Sequence, residues 1–508
     1  MSSSTSRIAK NTLFLYFRML LTMGVSLYTS RVILEALGVA DYGIYNVVGG
    51  VVAMFGILSG SLSAAISRFI TFELGKGNFD RLKRIFSTSV NIQIILIAII
   101  VVLMETIGLW FLNYKMVIPE ERMAAANWVF QFSVITFAIN LLSVPYNATI
   151  IAHEKMSAFA YISIVDVILK LIVAFIIVYN PFDRLVYYGL LIMLVGLINR
   201  SIYSIYSKRH FEEASYHFLL DKGLMKEMFG FAGWNFIGAS SALLRDHGGN
   251  ILINLFFGTT INAARGIAMQ VSHAATSFVT SFTTAVNPQI TKSYATGDRD
   301  YMMKLVFQSA KFSFFILLFI ALPIIVSTPY ILNLWLVDVP ENSVIFVRLI
   351  LVFVLSESLA NPLVVLMLAT GDIRNYQLIV GGLQMLNFPI TYLCYKLGAP
   401  SESIFVVAIC ISVICEISRL IMLKKMADLP VLDFFKNVYF RVVLVAVVAA
   451  VLPVTLKNYF QEDFFSFLML SFLSVISVAV SSYTIGCTEH DKMIVNNQIR
   501  KVKNRFFK

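Results

Sequence analysis

MKEMFGFAGWNFIGASSALLRDHGGNILINLFFGTTINAARGIAMQVSHAATSFVTSFTTAVNPQIT, residues Met225 to Thr291, decides how the chain is read. Two long apolar segments are joined by the short uncharged turn Gly258-Thr259-Thr260. Each is long enough to cross a bilayer, which takes about 20 apolar residues. Yet Arg245, Asp246 and His247 interrupt the first segment, and Arg265 and His273 the second. A charge near the bilayer centre costs roughly 2.5–3.5 kcal/mol on insertion scales, and it persists mainly where it faces a water-filled cavity or a partner. The stretch therefore predicts a cation-lined cavity at membrane depth.

Helical periodicity sharpens that expectation. Stepping about 100° per residue from Arg265 brings Ser272, Thr276, Thr283 and Asn287 onto one face, while Ile267, Phe278 and Phe282 fall elsewhere. In the first segment Asn235, Gly238, Ala242, Arg245 and Gly249 form a stripe of small and polar residues. Close helix packing accounts for the glycines. It does not account for the arginines.

The whole chain agrees with a membrane setting. Of 508 residues, 58% are hydrophobic and 14% charged, whereas soluble domains carry about 25% charged residues. Continuous apolar runs favour helices over the alternating strands of a barrel. Spans are expected at about 11–36, 42–72, 86–112, 124–151, 157–179, 185–206, 226–257, 261–290, 306–335, 344–369, 375–396, 403–423, 437–456 and 464–486. The fold class is thus all-α and polytopic, with about fourteen transmembrane helices.

The net charge of +11 is spread over loops, with no basic run interleaved with stacking aromatics, so nucleic acid is set aside. One set of loops carries most of the Lys and Arg, from Arg7 and Lys10 through Lys311 and Arg419 to the tail Lys492–Lys508, and the other only Lys115, Arg122, Arg184, Lys396 and Lys457. The positive-inside rule then puts both termini in the cytoplasm. Cys394, Cys410, Cys415 and Cys487 lie in or beside apolar segments without a CxxC spacing, which argues against a disulfide framework or a metal site.

An internal repeat divides the chain. At an offset of about 220 residues Gly38 falls on Gly258, Ala65 on Ala285, Gly77-Asn78 on Gly297-Asp298 and Leu112-Asn113 on Leu332-Asn333. Further on Pro145 and Ala152 match Pro362 and Ala369. A repeat of six spans inserts both halves the same way up, related by an axis along the membrane normal. The expected organisation is a six-helix lobe at 1–210, an amphipathic cytoplasmic linker at 211–225, a second six-helix lobe at 226–427, and two extra helices with a basic tail at 428–508. A helix lying on the cytoplasmic surface is the expectation for the linker.

No phosphate-binding loop, HExxH or Ser/His/Asp constellation occurs, so an enzyme is not expected, nor a cofactor. What remains is a set of arginines near the start of each half: Arg18, Arg68, Arg245 and Arg265. Guanidinium stays protonated and grips phosphate through two parallel hydrogen bonds, so these residues, with Asn235 and Thr276, are candidates to bind an anionic substrate. For Arg18 and Arg68 snorkelling to the surface is the alternative. Asp166 and Lys170, four apart, share a helix face as an ion pair. Glu357 has no cation within a turn, and a buried lone carboxylate exchanges protons near neutral pH. Glu357 and Asp166 are therefore the candidates for ion coupling.

The run Asn11 to Arg31, the pattern Leu37-Gly38-Val39-Ala40-Asp41-Tyr42-Gly43-Ile44-Tyr45, then Ser67-Arg68-Phe69 and Gly75-Lys76-Gly77 resemble the bacterial polysaccharide (O-antigen and capsule repeat-unit) flippases. That family shares a superfamily with lipid II flippases and multidrug and toxin extrusion transporters. The resemblance implies two six-helix lobes in a V, often with two extra C-terminal helices, around a cationic cavity built from the first, second, seventh and eighth helices. It further implies a polyprenyl-pyrophosphate-linked glycan repeat unit as substrate, flipped between leaflets by alternating access, with membrane lipids and polysaccharide polymerase machinery as partners. A multidrug or cation antiporter, a lipid II flippase and a non-transporting assembly scaffold are the rival readings.

Overall fold

The computed structural model describes residues 2–53, 56–114, 116, 118–179, 183–219, 221–336, 338–460, 463–489, 491–493 and 496. Most of the basic tail expected at Lys492–Lys508 (residues 494, 495 and 497–508), and Lys115 among the loop cations, lie outside the described residues. The described chain is helical, without strands. Its helices are α1 (Ser2–Ala53), α2 (Gly56–Lys76), α3 (Phe79–Tyr114), α4 (Glu120–Ala152), α5 (Met156–Val178), α6 (Arg184–His210), α7 (Lys222–Thr296), α8 (Arg299–Val326), α9 (Thr328–Trp335), α10 (Ser343–Thr370), α11 (Arg374–Lys396), α12 (Ser403–Ala427), α13 (Val431–Lys457) and α14 (Phe464–Gly486). In hydrocarbon every backbone N–H and C=O needs an internal partner, which an uninterrupted helix supplies.

Among the described residues eleven helices are long and apolar enough to cross a membrane, against about fourteen spans expected. The shortfall falls on 42–72, 226–257 and 261–290. All three are helical where described. They are also the stretches diluted by glycine, hydroxyl and charged side chains, Arg68, Arg245 and Arg265 among them.

Two glycines explain how these stretches join their neighbours. Gly38 (φ 75°, ψ 165°) breaks α1, and Gly258 (φ 81°, ψ −171°) breaks α7. That backbone region is open essentially to glycine alone, and the two sit at the same place in the repeat. The correspondence continues. Gly77 (φ 70°) and Gly297 (φ 76°) close their helices. The next residues, Asn78 and Asp298, cap the following helices by accepting hydrogen bonds from the N–H of Arg81 (3.1 Å) and Tyr301 (3.2 Å). After α4 and α10, Glu154 (φ 58°) and Gly371 (φ 85°) occupy matching left-handed positions.

The chain divides into two compact units, residues 11–236 and residues 1–10 with 237–508. In the first, α4 packs against α6 and α2. In the second, α10 packs between α8 and α12 over one large apolar core, and α13 and α14 pair with each other and lie against α8.

The linker is not the surface helix expected at 211–225. Beyond a single turn at Glu212–Ala214 the described residues to 219 are not helical. The cause is a row of partners on neighbouring helices. Phe211 stacks on His153 at 4.1 Å, and His153 pairs with Glu213. Ser87 Oγ accepts from the His217 N–H (3.2 Å). Asn91 accepts from the Tyr216 hydroxyl (2.8 Å) and donates to the Leu219 carbonyl (2.8 Å). These bonds meet the peptide groups without a helix.

Two cations expected in cytoplasmic loops are buried instead. Arg419 lies inside α12, 2% exposed. Lys311 lies inside α8 and pairs with Asp491, which also accepts from Gln308 Nε2 (2.8 Å) and the Thr488 N–H (2.9 Å). A buried ammonium or guanidinium without a counter-charge is too costly to persist, and in each case a carboxylate is supplied.

Candidate functional site

In the unit built around 237–508, α7 carries Arg245 and Arg265 on either side of the Gly258 break. Arg265 is 3% exposed, and its Nη1 donates to Asn250 Oδ1. Its Nε has no hydrogen-bond partner, and among the described residues no carboxylate lies in ion-pair contact with it. Gly249 makes the space: a Cβ there would meet Arg265 Nη2 at 2.7 Å. The stripe of small residues thus serves the guanidinium as well as helix packing. Arg245 donates from Nε to Asp246 Oδ1 (2.9 Å) and lies over the Phe353 ring at 5.0 Å.

Both arginines line one small cavity of about 30 Å³ with Asp246, Asn387 and Thr391. Asn387 Oδ1 and Thr391 Oγ1 are buried there without partners. Two guanidiniums against one carboxylate leave an excess of positive charge. A second cavity, about 310 Å³, meets the first at Arg245 and Asp246 and adds Thr276, Glu357, Asn361 and Arg419. Thr276 lines this second cavity and donates back to the Ser272 carbonyl (2.8 Å).

Glu357 is not the lone carboxylate its helix suggested. Ser412 of α12 donates to it at 2.6 Å, and Arg245 and Arg419 line the same cavity. Arg419 is held by Glu416 (2.9 Å), which accepts a further bond from the Tyr439 hydroxyl of α13 (2.6 Å). Arg419, Glu416 and Tyr439 were not candidates from sequence. The three-residue spacing of Glu416 and Arg419 on one helix face was the available signal, masked by the neighbouring loop cations Lys424 and Lys425.

The candidates in the other unit have separate surroundings. Arg18 lies over the Phe159 ring at 4.6 Å and donates to Ser163 Oγ at 3.4 Å. Arg68 lies against Phe69, Phe72 and Phe231 at 4.8, 4.8 and 5.5 Å. Both keep a desolvated aromatic face beside the charge. Asn235 donates to the Ser61 carbonyl at 3.4 Å. Asp166 is paired with Lys170 (2.8 Å), as its spacing indicated, and accepts from Asn199 Nδ2 (2.5 Å) beside a third cavity.

Residues 8–294, more than half of the chain, match the family described as polysaccharide biosynthesis protein. No curated protein matches in sequence. Solved structures share the fold at low identity. A MATE transporter in complex with MaD3S is 13% identical, with a TM-score of 0.72, covering 84% of this chain and 97% of that one. A multidrug resistance MATE family transporter of the MOP superfamily, in the outward-facing conformation, gives 12%, 0.71, 84% and 96%. A MOP superfamily transporter from Pyrococcus furiosus, reported with a binding pocket of reverse polarity that suggests a different function, gives 11%, 0.67, 84% and 96%. The chain is a multi-pass membrane protein that belongs to the polysaccharide biosynthesis protein family and has the fold of the MATE and MOP-superfamily transporters.

Proposed function

We propose that this chain is a flippase for a lipid-linked oligosaccharide. It moves a polyprenyl-pyrophosphate-linked glycan repeat unit from the cytoplasmic to the periplasmic leaflet of the inner membrane by alternating access, with both termini in the cytoplasm. The observation that carries the reading is Arg265: a guanidinium 3% exposed, bound to the neutral Asn250, with an unpartnered Nε. Arg245 lines the same cavity. Buried cations are normally neutralised by carboxylates. A site that leaves one short of its counter-charge is prepared for a mobile anion, and pyrophosphate matches the two-pronged geometry of guanidinium. Thr276 lines the adjoining cavity, and its hydroxyl turns from the Ser272 carbonyl to donate to the anion in this reading, while Glu357, which lines that cavity with Arg245 and Arg419, is the ionisable group for coupling. Arg18, Arg68 and Asn235 belong to the other unit and serve the same substrate in this reading, as does Asp166 in coupling. The lobes at 1–210 and 226–427, the linker at 211–225 and the appended 428–508 are its working parts, and polymerase machinery is the partner that receives the product.

The test is flipping of a fluorescent polyprenyl-pyrophosphate oligosaccharide in proteoliposomes. Arg265→Gln removes a hydrogen-bonding charge worth about 1.5–3 kcal/mol, so flipping falls at least about tenfold, since each 1.4 kcal/mol is a factor of ten. Undiminished flipping by a well-folded Arg265→Gln protein overturns the proposal. One observation favours a second reading, a cation or multidrug antiporter: Asp246 and Glu357 also line the larger cavity. Under that reading Glu357→Gln abolishes efflux of a cationic dye while Arg265→Gln spares it. A lipid II flippase is separated by competition with unlabelled lipid II.

A further inference from the structure

The third cavity lies in the unit 11–236 and has a different chemistry. It measures about 380 Å³, within the range of small-molecule sites, which run from about 300 to 1,000 Å³. Thr29, Ser30, Thr136, Asn140, Asp166 and Asn199 line it, drawn from α1, α4, α5 and α6. Each of those helices spans the membrane by length and composition. Its charge is balanced, because the Asp166 carboxylate is taken up by Lys170 and Asn199, and among the described residues no guanidinium lines it. A phosphate therefore finds no excess of positive charge here.

The hydrogen-bonding groups are arranged as acceptors in want of donors. Ser30 donates to the Ser26 carbonyl (2.9 Å) and Thr136 to the Phe132 carbonyl (2.7 Å), so both present lone pairs. Asn199 uses its Nδ2 on Asp166, while its Oδ1 is buried with no partner. Thr29 is 6% exposed, and its Oγ1 has no partner either. A buried polar atom left unmet costs about 1–3 kcal/mol, but neither atom has surface open to the cavity, so the groups that reach an occupant are the exposed Ser30 and Asn140 side chains. Ser26, Ser30 and Lys170 among its lining residues are exposed. Tyr45 and Tyr188, their rings 4.6 Å apart, close one wall.

We propose that this cavity is a subsite for a neutral sugar ring. Several hydroxyl donors on one small ring match several acceptor oxygens around a charge-balanced space, with the Ser30 hydroxyl and the Asn140 amide as the recognising groups. The inference rests on the flippase reading for its biological source, since the glycan of the substrate supplies the ring. The binding chemistry stands apart from the arginine cavity.

The full chain in nanodiscs is titrated with glucose, galactose and N-acetylglucosamine, followed by saturation-transfer NMR, with methyl phosphate as the charged control. At least one sugar binds and methyl phosphate does not transfer from this cavity. Ser30→Ala and Asn140→Leu each weaken sugar binding at least tenfold, while Cys410→Ser, at an exposed position of α12 that lines none of the cavities described, leaves it unchanged. Thermal unfolding of each variant is read in parallel, and Ser30→Ala alone decides the matter where Asn140→Leu fails to fold. No binding of any of the three sugars, or binding indifferent to Ser30→Ala, overturns the subsite and shows a water-filled space. The two proposals fail separately. Flipping without variant-sensitive sugar binding sinks only the subsite, and variant-sensitive sugar binding without flipping sinks only the flippase.

Discussion

Asn91 on α3 and Lys311 on α8 occupy the same position in the two halves of the repeat, at the offset that pairs Gly77 with Gly297. Each anchors a segment that returns to its helix. Asn91 holds the linker through Tyr216 and Leu219. Lys311 holds the segment after the last helix through Asp491. One anchor is neutral and the other is a buried ion pair. The cavities differ in the same sense: the half with the neutral anchor has a charge-balanced cavity, and the half with the ionic anchor has a small cavity with guanidiniums in excess. Backbone turns have been kept between the halves while side-chain chemistry has diverged. Glycine positions answer to φ and ψ, which the repeat shares, whereas polar side chains answer only to what each half must hold.

Breaking the anchors gives the largest contrast. Lys311→Met leaves Asp491 buried and unpaired, at a cost of about 3–5 kcal/mol. Asn91→Leu leaves a carbonyl and a hydroxyl unmet, at about 1–3 kcal/mol. Thermal unfolding in detergent checks both, and adding Asp491→Leu to Lys311→Met restores most of the loss, since a pair replaced by apolar groups is close to neutral. Equal effects at the two positions would erase the distinction between them.

The glycine breaks test the shared part. Gly38→Ala and Gly258→Ala force alanine into a region reserved for glycine, each costing about 1–3 kcal/mol. Space is not the issue, because nothing lies within 4 Å of a Cβ at either position. Matching losses are expected. A loss at one site only would mean that the halves do not share this turn.

Acid gives the smallest effect. Burial alone raises the Asp491 carboxyl, but the hydrogen bond and charge of Lys311 outweigh it and hold the group below its usual value. A depressed carboxylate contributes stability that is fully present above its unfolded pKa, about 3.9, and that is lost as pH falls through the lower folded value. Limited proteolysis of the C-terminal segment is therefore unchanged from pH 8 to 5 and rises only below about pH 4. The Asn91 hydrogen bonds contain no group that titrates in this window, so any acid loss of protection in the linker is traced to its separate Glu213–His153 pair.

Much of this fold was legible in sequence because its signals are local. Apolar runs gave the helices, and Gly38, Gly258, Gly77 and Gly297 marked the repeat before their conformations were seen. The misreadings share one cause, partners far away in the chain. Glu357 looked isolated because Ser412 and Arg419 come from α12. Arg419 and Lys311 looked like loop cations because their burial depends on Glu416, Tyr439 and Asp491. The linker looked helical because its amphipathic pattern does not announce that Ser87 and Asn91 will bond its peptide groups. Arg265 was read from its wheel position as facing water; it is 3% exposed and bonded to Asn250, a partner the wheel could not name.

The two helices beyond the repeat are stitched to what precedes them. Tyr439 of α13 reaches Glu416, Asp491 after α14 reaches Lys311, and a Cβ on Gly486 would collide with Phe315. A chain trimmed after Ala427 would strip the shielding from one acidic and one basic side chain at once. The pair is thus a keystone rather than an ornament, and anyone shortening this protein for study does better to leave it whole.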